Sequence, residues 1–336
     1  MIPVAINGFG RIGRCLLRAL HESDYRSEFQ VVAINELADR ETICHLTKYD
    51  STHGRFPGKV SLEGENLLVD EAKIRLLHHA QVAELPWREL GVELVFECTG
   101  SFTDRLTAGQ HLQAGASKVL FSQPADRDVD QTIVYGVNHQ ALSSDLKVVS
   151  AASCTTNAVV PVIKILHQAL GIEFGVIRTI HAAMHDQPVI DAYHHTDLRK
   201  TRAAFESLIP VETGLAAGIE RILPEMSGRF EAVAMRVPVS NVSAIDLSLY
   251  FDQSVTAENI NALLKQAAQN QYQGLLGYTE EPLASCDFVH DAHSGVIDAS
   301  QTTVAGGHLA KLLIWFDNEW GYANRMLDVA CSWVAR

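Results

Sequence analysis

The sequence predicts an α/β protein in two parts, a doubly wound sheet domain followed by an α+β layer with an antiparallel sheet. Three observations carry this. The first part alternates short apolar strands with amphipathic helices, as a parallel sheet with crossover helices does. In the later part strands follow one another, across Glu231–Phe251 with a turn at Pro238–Asn241, then at Thr302-Thr303-Val304 and Leu309–Phe316. Between the two, the β-branched strand Lys147-Val148-Val149-Ser150 gives way at Ala152-Ser153-Cys154-Thr155-Thr156-Asn157 to a long apolar-periodic run through Leu170. One cysteine therefore falls near the first turn of a predicted helix.

The N-terminal elements set up a dinucleotide site. Pro3-Val4-Ala5-Ile6-Asn7 is a short apolar strand that runs straight into Gly8-Phe9-Gly10-Arg11-Ile12-Gly13, and Leu16, Leu17 and Leu20 line one side of the helix that follows. A GxGxxG between a strand and a helix is the Rossmann-type fingerprint: glycines allow the tight turn and close approach to a pyrophosphate, which the helix N-terminus faces. A second strand, Gln30-Val31-Val32-Ala33-Ile34-Asn35, ends at Glu36, 23 residues beyond Gly13. An acid at that spacing accepts from the ribose 2′ and 3′ hydroxyls and repels a 2′-phosphate, so NAD is expected rather than NADP.

Alternation continues with a helix over Ala38–Tyr49, strands over Lys59–Leu62, Asn66–Val69 and Lys73–Leu77, and a buried strand Val92–Phe96. A helix at Asp104–Ala114 and a strand at Lys118–Phe121 follow. Thr99, Gly100 and Ser122 lie at strand ends, where a doubly wound sheet receives its ligand. Beyond the Cys154 helix, Phe174–Ala183 alternates like a strand and delivers His181 near its end. The segment from His185 to Ser207 has little periodicity, and a loop that long inside a compact domain is usually functional. Its histidines 185, 194 and 195 lack a carboxylate or cysteine to complete a ligand set, so surface or interface roles and no metal site are expected. A helix is predicted over Thr256–Gln271 and a last one over Glu319–Val334, with Met326, Leu327, Val329, Ala330 and Trp333 on one face packing back on the first domain. The boundaries expected are 1–152, completed by 318–336, for the nucleotide domain and 153–317 for the second.

Cys154 reads as a nucleophile. Unpaired N–H groups and the macrodipole at a helix start favour an anion, so its pKa is expected to fall and a thiolate to form. The remaining composition narrows the class. A chain of 336 residues, 47% hydrophobic and 20% charged, is long enough for two sizeable cores. A net charge of -13 argues against nucleic acid or anionic membrane as a partner. Six cysteines without CxxC pairs suggest neither zinc nor a disulfide framework. With no signal-peptide pattern and no long uncharged run, a cytoplasmic location is expected.

Four motifs then carry a resemblance across essentially the whole chain. Ile6-Asn7-Gly8-Phe9-Gly10-Arg11-Ile12-Gly13-Arg14, Ser153-Cys154-Thr155-Thr156-Asn157, Arg236-Val237-Pro238 and Asp317-Asn318-Glu319-Trp320-Gly321-Tyr322 closely resemble the glyceraldehyde-3-phosphate dehydrogenase family. Within it the chain is more similar to the erythrose-4-phosphate dehydrogenase branch. The discriminating run is His181-Ala182-Ala183-Met184-His185-Asp186-Gln187 with Ile190-Asp191-Ala192-Tyr193-His194. Phosphorylating triose enzymes usually have threonine where Met184 stands and glycine where His185 stands. Near positions 78 to 80, where the branch often has an arginine by the cofactor, this chain has His78-His79-Ala80.

The resemblance implies roles. Cys154 is the nucleophile and His181 its activating base; Asn318 hydrogen-bonds the nicotinamide carboxamide. Gly8, Gly10, Arg11, Ile12, Gly13, Glu36, Thr99 and Ser122 bind the rest of NAD. Ser153, Thr155, Arg199, Thr213, Gly214 and Arg236 hold phosphate, a task suited to arginine's fork. The implied reaction is NAD-dependent oxidation of erythrose 4-phosphate, a small phosphorylated aldose, to 4-phosphoerythronate through a thiohemiacetal and a thioester, as in pyridoxal phosphate biosynthesis. The alternatives are a phosphorylating triose-phosphate enzyme and a non-enzymatic NAD-binding regulatory or scaffold protein. A homotetramer is implied, with the long loop reaching a neighbouring cofactor site.

Overall fold

The structure, a computed structural model, describes residues 1–194 and 196–335. His195, in the long segment, and Arg336, at the end of the predicted 318–336 stretch, lie outside the described residues. The chain divides into two compact units, Met1–Ser153 with the residues from Ala323 onward, and Cys154–Tyr322.

The first unit is built on strands that are apolar on both faces. Its elements are β1 (Ile2–Asn7), α1 (Arg11–Glu22), β2 (Phe29–Asn35), α2 (Arg40–Lys48), the two-residue strands β3 (Tyr49–Asp50) and β4 (Gly54–Arg55), β5 (Val60–Glu63), β6 (Asn66–Val69), β7 (Ala72–Leu77), β8 (Leu94–Glu97), α3 (Arg105–Ala114), β9 (Lys118–Phe121), β10 (Gln131–Thr132) and β11 (Val148–Ser150). Val4, Ala5, Ile6, Leu94, Val95, Val119, Leu120 and Phe121 are all fully buried, as strands covered on both sides must be. Among the described residues the sheet has nine strands in the order β10-β11-β9-β8-β1-β2-β7-β6-β5. It is parallel from β10 through β7, and only the β7-β6-β5 meander runs antiparallel.

That order places β1 between β2 and β8, so the chain reverses its direction of travel across the sheet beside β1. Loops leaving the ends of β1 and β8 part to opposite faces there, which opens the crevice that receives ligands in such sheets. Helices α2 and α3 start on caps that the sequence supplies, Asp39 accepting from Thr42 N and Asp104 from Thr107 N, each worth about 1 kcal/mol. Helix α1 buries Cys15, Leu16, Leu17, Ala19 and Leu20, and with them the side chain of Arg18. That guanidinium is satisfied by the carbonyls of His53, Gly54 and Arg55, at 3.2, 3.0 and 3.0 Å.

The second unit holds α4 (Cys154–Leu170), β12 (Ile172–Ala182), β13 (Ile209–Val211), α5 (Leu215–Ile222), β14 (Phe230–Val237), β15 (Ser243–Phe251), α6 (Ala257–Gln269), β16 (Leu276–Thr279), β17 (Gly295–Ala305) and β18 (Leu309–Phe316). Its sheet runs β13-β14-β12-β15-β18-β17-β16. This sheet is mixed, where the sequence predicted an antiparallel one: β12 pairs parallel with β14, and β16 with β17. The reason is topological. The turn after Val237 does not make a hairpin, because β12 inserts between β14 and β15. The 183–229 connection from β12 to β14 is long enough for the crossover that a parallel pair requires. Helix α4 is apolar nearly all round, with Ala158, Val159, Val160, Val162, Ile163 and Leu166 fully buried. The last helix, α7 (Trp320–Val334), begins in the second unit and passes into the first, where Met326, Leu327, Val329, Ala330 and Trp333 are fully buried. Its Trp333 indole donates to Ser143 O at 3.1 Å, and Tyr25 bonds Asp328. Among the described residues no helix is long and apolar enough to cross a membrane.

Candidate active site

In the second unit, Cys154 opens α4 directly after a strained turn. Ala152 has φ 57, in the left-handed region, at a cost of about 1–2 kcal/mol. Its small side chain is buried, and it swings the chain from the end of β11 toward the helix. His181 comes from the last turn of pleat in β12, and its Nε2 lies 3.7 Å from Cys154 Sγ. Thr155 Oγ1 is 3.9 Å from the same sulfur. Arg236 sits directly opposite His181 in the β12–β14 register, and its Nη1 lies 2.7 Å from His181 Nδ1. His181 Nδ1 is also 2.8 Å from Ala182 O, and the ring edge faces Phe316 with centroids 6.2 Å apart.

Electrostatics here reverse one expectation. The sequence predicted that the helix start would lower the Cys154 pKa; the structure raises it, because desolvation of the sulfur outweighs the bonds from Thr155, the backbone N–H groups and the Arg236 charge. His181 is pushed down to about 4, first by burial and second by the Arg236 cation. Burial therefore favours the neutral form of both partners.

Asn318 is positioned by residues that the sequence reading passed over. Asp317, buried, accepts from Glu319 N and Trp320 N with one oxygen and from Asn241 Nδ2 and His290 N with the other, which fixes the turn ahead of α7. Ser243 is buried at the start of β15. It accepts from Ala182 N at 3.0 Å, so its own hydrogen is directed to Asn318 Oδ1 at 2.8 Å. The Asn318 amide oxygen is thus engaged, and its NH2 is the group left to meet a ligand. One hydroxyl links Asn318 to the strand end that carries His181. No periodic or motif signal marks Ser243; the adjacent motif at Asp317 could have drawn attention to the carboxylate.

The phosphate candidates are placed unevenly. Arg236 and Thr155 stand beside the Cys154–His181 pair. Arg236 Nε is buried without an acceptor among the described residues, a donor available to an anion. Thr213 and Gly214 lie at the start of α5, where Thr213 Oγ1 accepts from Leu215 N at 3.3 Å. Helix α5 packs across the first turn of α4: a Cβ at Gly218 would stand 3.3 Å from Thr156 Oγ1. Arg199 is exposed on a short turn of 3-10 helix, Leu198–Thr201, and Ser153 is half-buried at the chain's entry to α4. Met184 is exposed just beyond β12, its N–H donating to Gln187 Oε1.

In the first unit, the glycine loop fits a dinucleotide. Gly8 has φ 88, and a Cβ there would stand 2.5 Å from Thr99 N; at Gly13 it would stand 2.3 Å from Gly8 O. Those two glycines are required by the protein's own backbone. Gly10 is different, since a Cβ there meets nothing within 4 Å, so no part of the surrounding chain requires its smallness. Helix α1 has no side-chain cap at Gly10, and its ladder begins only with Arg14 N to Gly10 O at 3.1 Å. The first turn, Arg11, Ile12 and Gly13, can face an anion with backbone N–H groups. The Arg11 guanidinium pairs with Asp50, at 2.5 and 3.2 Å. Both Glu36 oxygens help to hold the loop, Oε2 accepting from Phe9 N at 2.8 Å and Oε1 from Leu37 N at 2.8 Å. Ala38 N also donates to Oε1 at 3.4 Å, so of a carboxylate's four or so acceptor positions about one is left for a ribose hydroxyl.

Beneath the loop runs a buried chain of hydrogen bonds invisible in the sequence. Trp87 Nε1 donates to His111 Nδ1 at 2.9 Å, His111 Nε2 meets Glu97 Oε2 at 3.0 Å, and Asn7 Nδ2 donates to the same oxygen at 2.6 Å. Asn35 Nδ2 donates to Asn7 Oδ1 at 2.7 Å. Glu97 Oε1 receives Thr99 N at 2.9 Å, so Thr99 is set by the strand end below it. Ser122 N bonds Glu97 O, and His78 Nδ1 donates to Glu36 O at 2.8 Å.

Comparison with known families agrees with both halves. Residues 2–105 match the NAD binding domain of glyceraldehyde 3-phosphate dehydrogenase, and residues 153–318 match its C-terminal domain. The cofactor is NAD. The glycine loop in one unit, the cysteine–histidine pair in the other and the two matched domains together place the chain in the glyceraldehyde 3-phosphate dehydrogenase family of NAD-dependent aldehyde-oxidising enzymes.

Proposed function

We propose that the protein oxidises erythrose 4-phosphate to 4-phosphoerythronate, with Cys154 as nucleophile and water as the acceptor of the acyl group. The observation that carries the cysteine chemistry is the 3.7 Å approach of Cys154 Sγ to His181 Nε2. His181 takes the thiol proton as sulfur adds to the aldehyde carbonyl. The oxyanion of the thiohemiacetal is held by backbone N–H at Cys154 and by the imidazole. NAD, when bound, supplies the hydride acceptor. After passing that proton to solvent, His181 acts as general base toward the water that attacks the thioester. Asn318 orients the carboxamide through its NH2, and Glu36 selects NAD by meeting the ribose hydroxyls. Arg236, Thr155, Ser153, Arg199, Thr213 and Gly214 form the phosphate contacts.

The branch rests on Met184 and His185. A threonine at 184 would donate a hydroxyl bond to phosphate, and bonds to charged groups are worth about 1.5–3 kcal/mol. Methionine donates none, so one phosphate position is weakened by roughly 10- to 150-fold on that arithmetic. A substrate one hydroxylated carbon longer carries its phosphate farther from Cys154 and uses that position differently. Weak inorganic phosphate binding leaves water as the acyl acceptor.

The test is NADH formation from erythrose 4-phosphate and from glyceraldehyde 3-phosphate, each with and without inorganic phosphate. Erythrose 4-phosphate should have the higher kcat/KM and need no phosphate, and Met184→Thr should move both properties toward the triose pattern. A strict phosphate requirement assigns the chain to the phosphorylating triose reaction instead. We also infer a cytoplasmic homotetramer, supported by the exposed apolar side chains Val189, Ile190, Tyr193, Leu198 and Leu208 along the long loop.

A further inference from the structure

The long loop of the second unit folds back on itself. Ala204 N donates to Pro188 O at 2.9 Å, Ala192 N to Thr201 O at 3.0 Å and Ala203 N to the Asp191 carboxylate at 3.1 Å, which staples its two limbs together. That fold-back brings Lys200 Nζ to Asp186 Oδ2 at 2.7 Å. The short turn Leu198–Thr201 that carries the lysine packs against β13, whose Ile209 pairs with Arg236 of β14. The Lys200 side chain is 22% exposed while Arg199 faces solvent, so of these two neighbouring cations Lys200 is the one turned inward. Asp186 feels two positive charges. Burial works to raise its pKa, but the hydrogen bond and charge of Lys200 and the charge of Arg236 hold it below the ordinary carboxylate range, so it is ionised at neutral pH. Arg236 stands at the catalytic pair, its Nη1 2.7 Å from His181 Nδ1. Outward from Cys154 the order of charges is therefore guanidinium, carboxylate, ammonium.

We propose that Lys200 is a specificity-determining residue, donating to the phosphate of a four-carbon aldose that has its aldehyde at Cys154. The inference rests on the erythrose 4-phosphate reading above and names the group that tells the longer substrate from the shorter. With the aldehyde carbon fixed at the sulfur, one more carbon carries the phosphate outward, past Arg236 and toward the loop. There it meets the Asp186 carboxylate, and two anions that close repel one another unless a cation stands between them. Lys200 is that cation. An ammonium has three donors and Asp186 takes one, so two are left for phosphate oxygens without breaking the ion pair. Its four-carbon stem and rotatable donors let it follow the phosphate in a way that a rigid fork would not. The phosphate of a triose stops a carbon short and is held by Arg236, and it gains less from the ammonium.

The test is the ratio of kcat/KM for erythrose 4-phosphate to that for glyceraldehyde 3-phosphate, measured on the full-length enzyme with NAD. Lys200→Met and Lys200→Gln should each lower that ratio by about 10- to 150-fold, the factor carried by one hydrogen bond to a charged group. The loss should fall on KM for erythrose 4-phosphate rather than on kcat, and competitive inhibition by 4-phosphoerythronate should weaken by the same factor. Lys200→Arg keeps the charge and the donors and should keep most of the ratio. Asp186→Asn removes the ion pair but leaves the ammonium in the loop, so the ratio should survive there too. A loss shared equally by the two substrates, or no loss, would overturn the proposal; an equal loss that Asp186→Asn reproduces makes the ion pair a staple of the loop and nothing more. The parent enzyme tests the underlying reading separately. A parent ratio below one overturns erythrose 4-phosphate as the substrate, whereas a ratio above one that both lysine variants leave intact removes only Lys200.

Discussion

Burial favours the neutral forms of Cys154 and His181, and the pair's behaviour under substitution follows from their roles as proposed. Cys154→Ser should keep NAD binding and lose turnover, since a serine hydroxyl is far too weak an acid for one histidine to ionise. NADH formation above a few per cent of the parent rate would remove Cys154 from the role of nucleophile. His181→Asn should cost about 10²- to 10⁴-fold in kcat, the range of a general base. The depressed His181 pKa also has a stability consequence. Its value of about 4 lies below the ordinary 6.5, so between those values the unfolded chain binds the proton that the folded chain refuses. Stability from this group is full above pH 6.5 and is lost as pH falls toward 4, by about 3 kcal/mol in all. Urea unfolding at a series of pH values should show that slope, and His181→Asn should flatten it. Ser243→Ala removes the hydroxyl that orients Asn318, and should lower kcat about tenfold with little change in KM for NAD. Ser243→Thr should restore it, and iodoacetamide should alkylate Cys154 in all three proteins at the same rate.

At the scale of elements, the β1–loop–α1 unit separates two glycines that the chain's own backbone requires from one, Gly10, that it does not. Gly8→Ala drives a methyl group into the Thr99 backbone at 2.5 Å and should unfold the first unit or abolish its NAD binding. Gly10→Ala meets nothing, so its Tm should match the parent while NAD affinity falls. Equal NAD affinity in Gly10→Ala would show that the phosphates lie elsewhere. Much of this was legible in advance. Strands Asn66–Val69, Lys118–Phe121 and Leu309–Phe316 and the helix Cys154–Leu170 have the ends that their apolar patterns indicate. Ile209-Pro210-Val211 and Leu276-Gly277-Tyr278-Thr279 were not legible, because Pro and Gly oppose strand structure and only pairing with β14 and β17 imposes it. Helix α5 is eight residues with Gly218 at its centre, too short and too weak a pattern to read. The same limit applies at the site. Motifs and spacing locate Cys154, His181 and the glycine loop, whereas the sign of the thiol shift depends on burial that no pattern reports. Glu97, Asn7, His111 and Trp87 look like scattered polar and aromatic residues until the sheet brings them together.

For the molecule as a whole, the exposed apolar side chains of the long loop bear on assembly. Val189, Ile190, Tyr193 and Leu198 lie within a stretch of ten residues and face solvent in the single chain. Sedimentation velocity should find a species of four chains, and Ile190→Asp with Tyr193→Asp should shift it toward smaller species; a parent sedimenting as a monomer would refute the tetramer. The end of the chain bears on something else, the order in which the protein can be made. The first unit draws six fully buried side chains from α7, Ala323 included, and its Trp333 reaches Ser143 O. All of Cys154–Tyr322 is translated between the two parts of that core, which at ~5–20 residues per second takes about 8–34 s. On the ribosome, residues 1–153 therefore cannot close their core when they are made, and an apolar seam stays open in them until α7 has followed the whole second unit out of the exit tunnel.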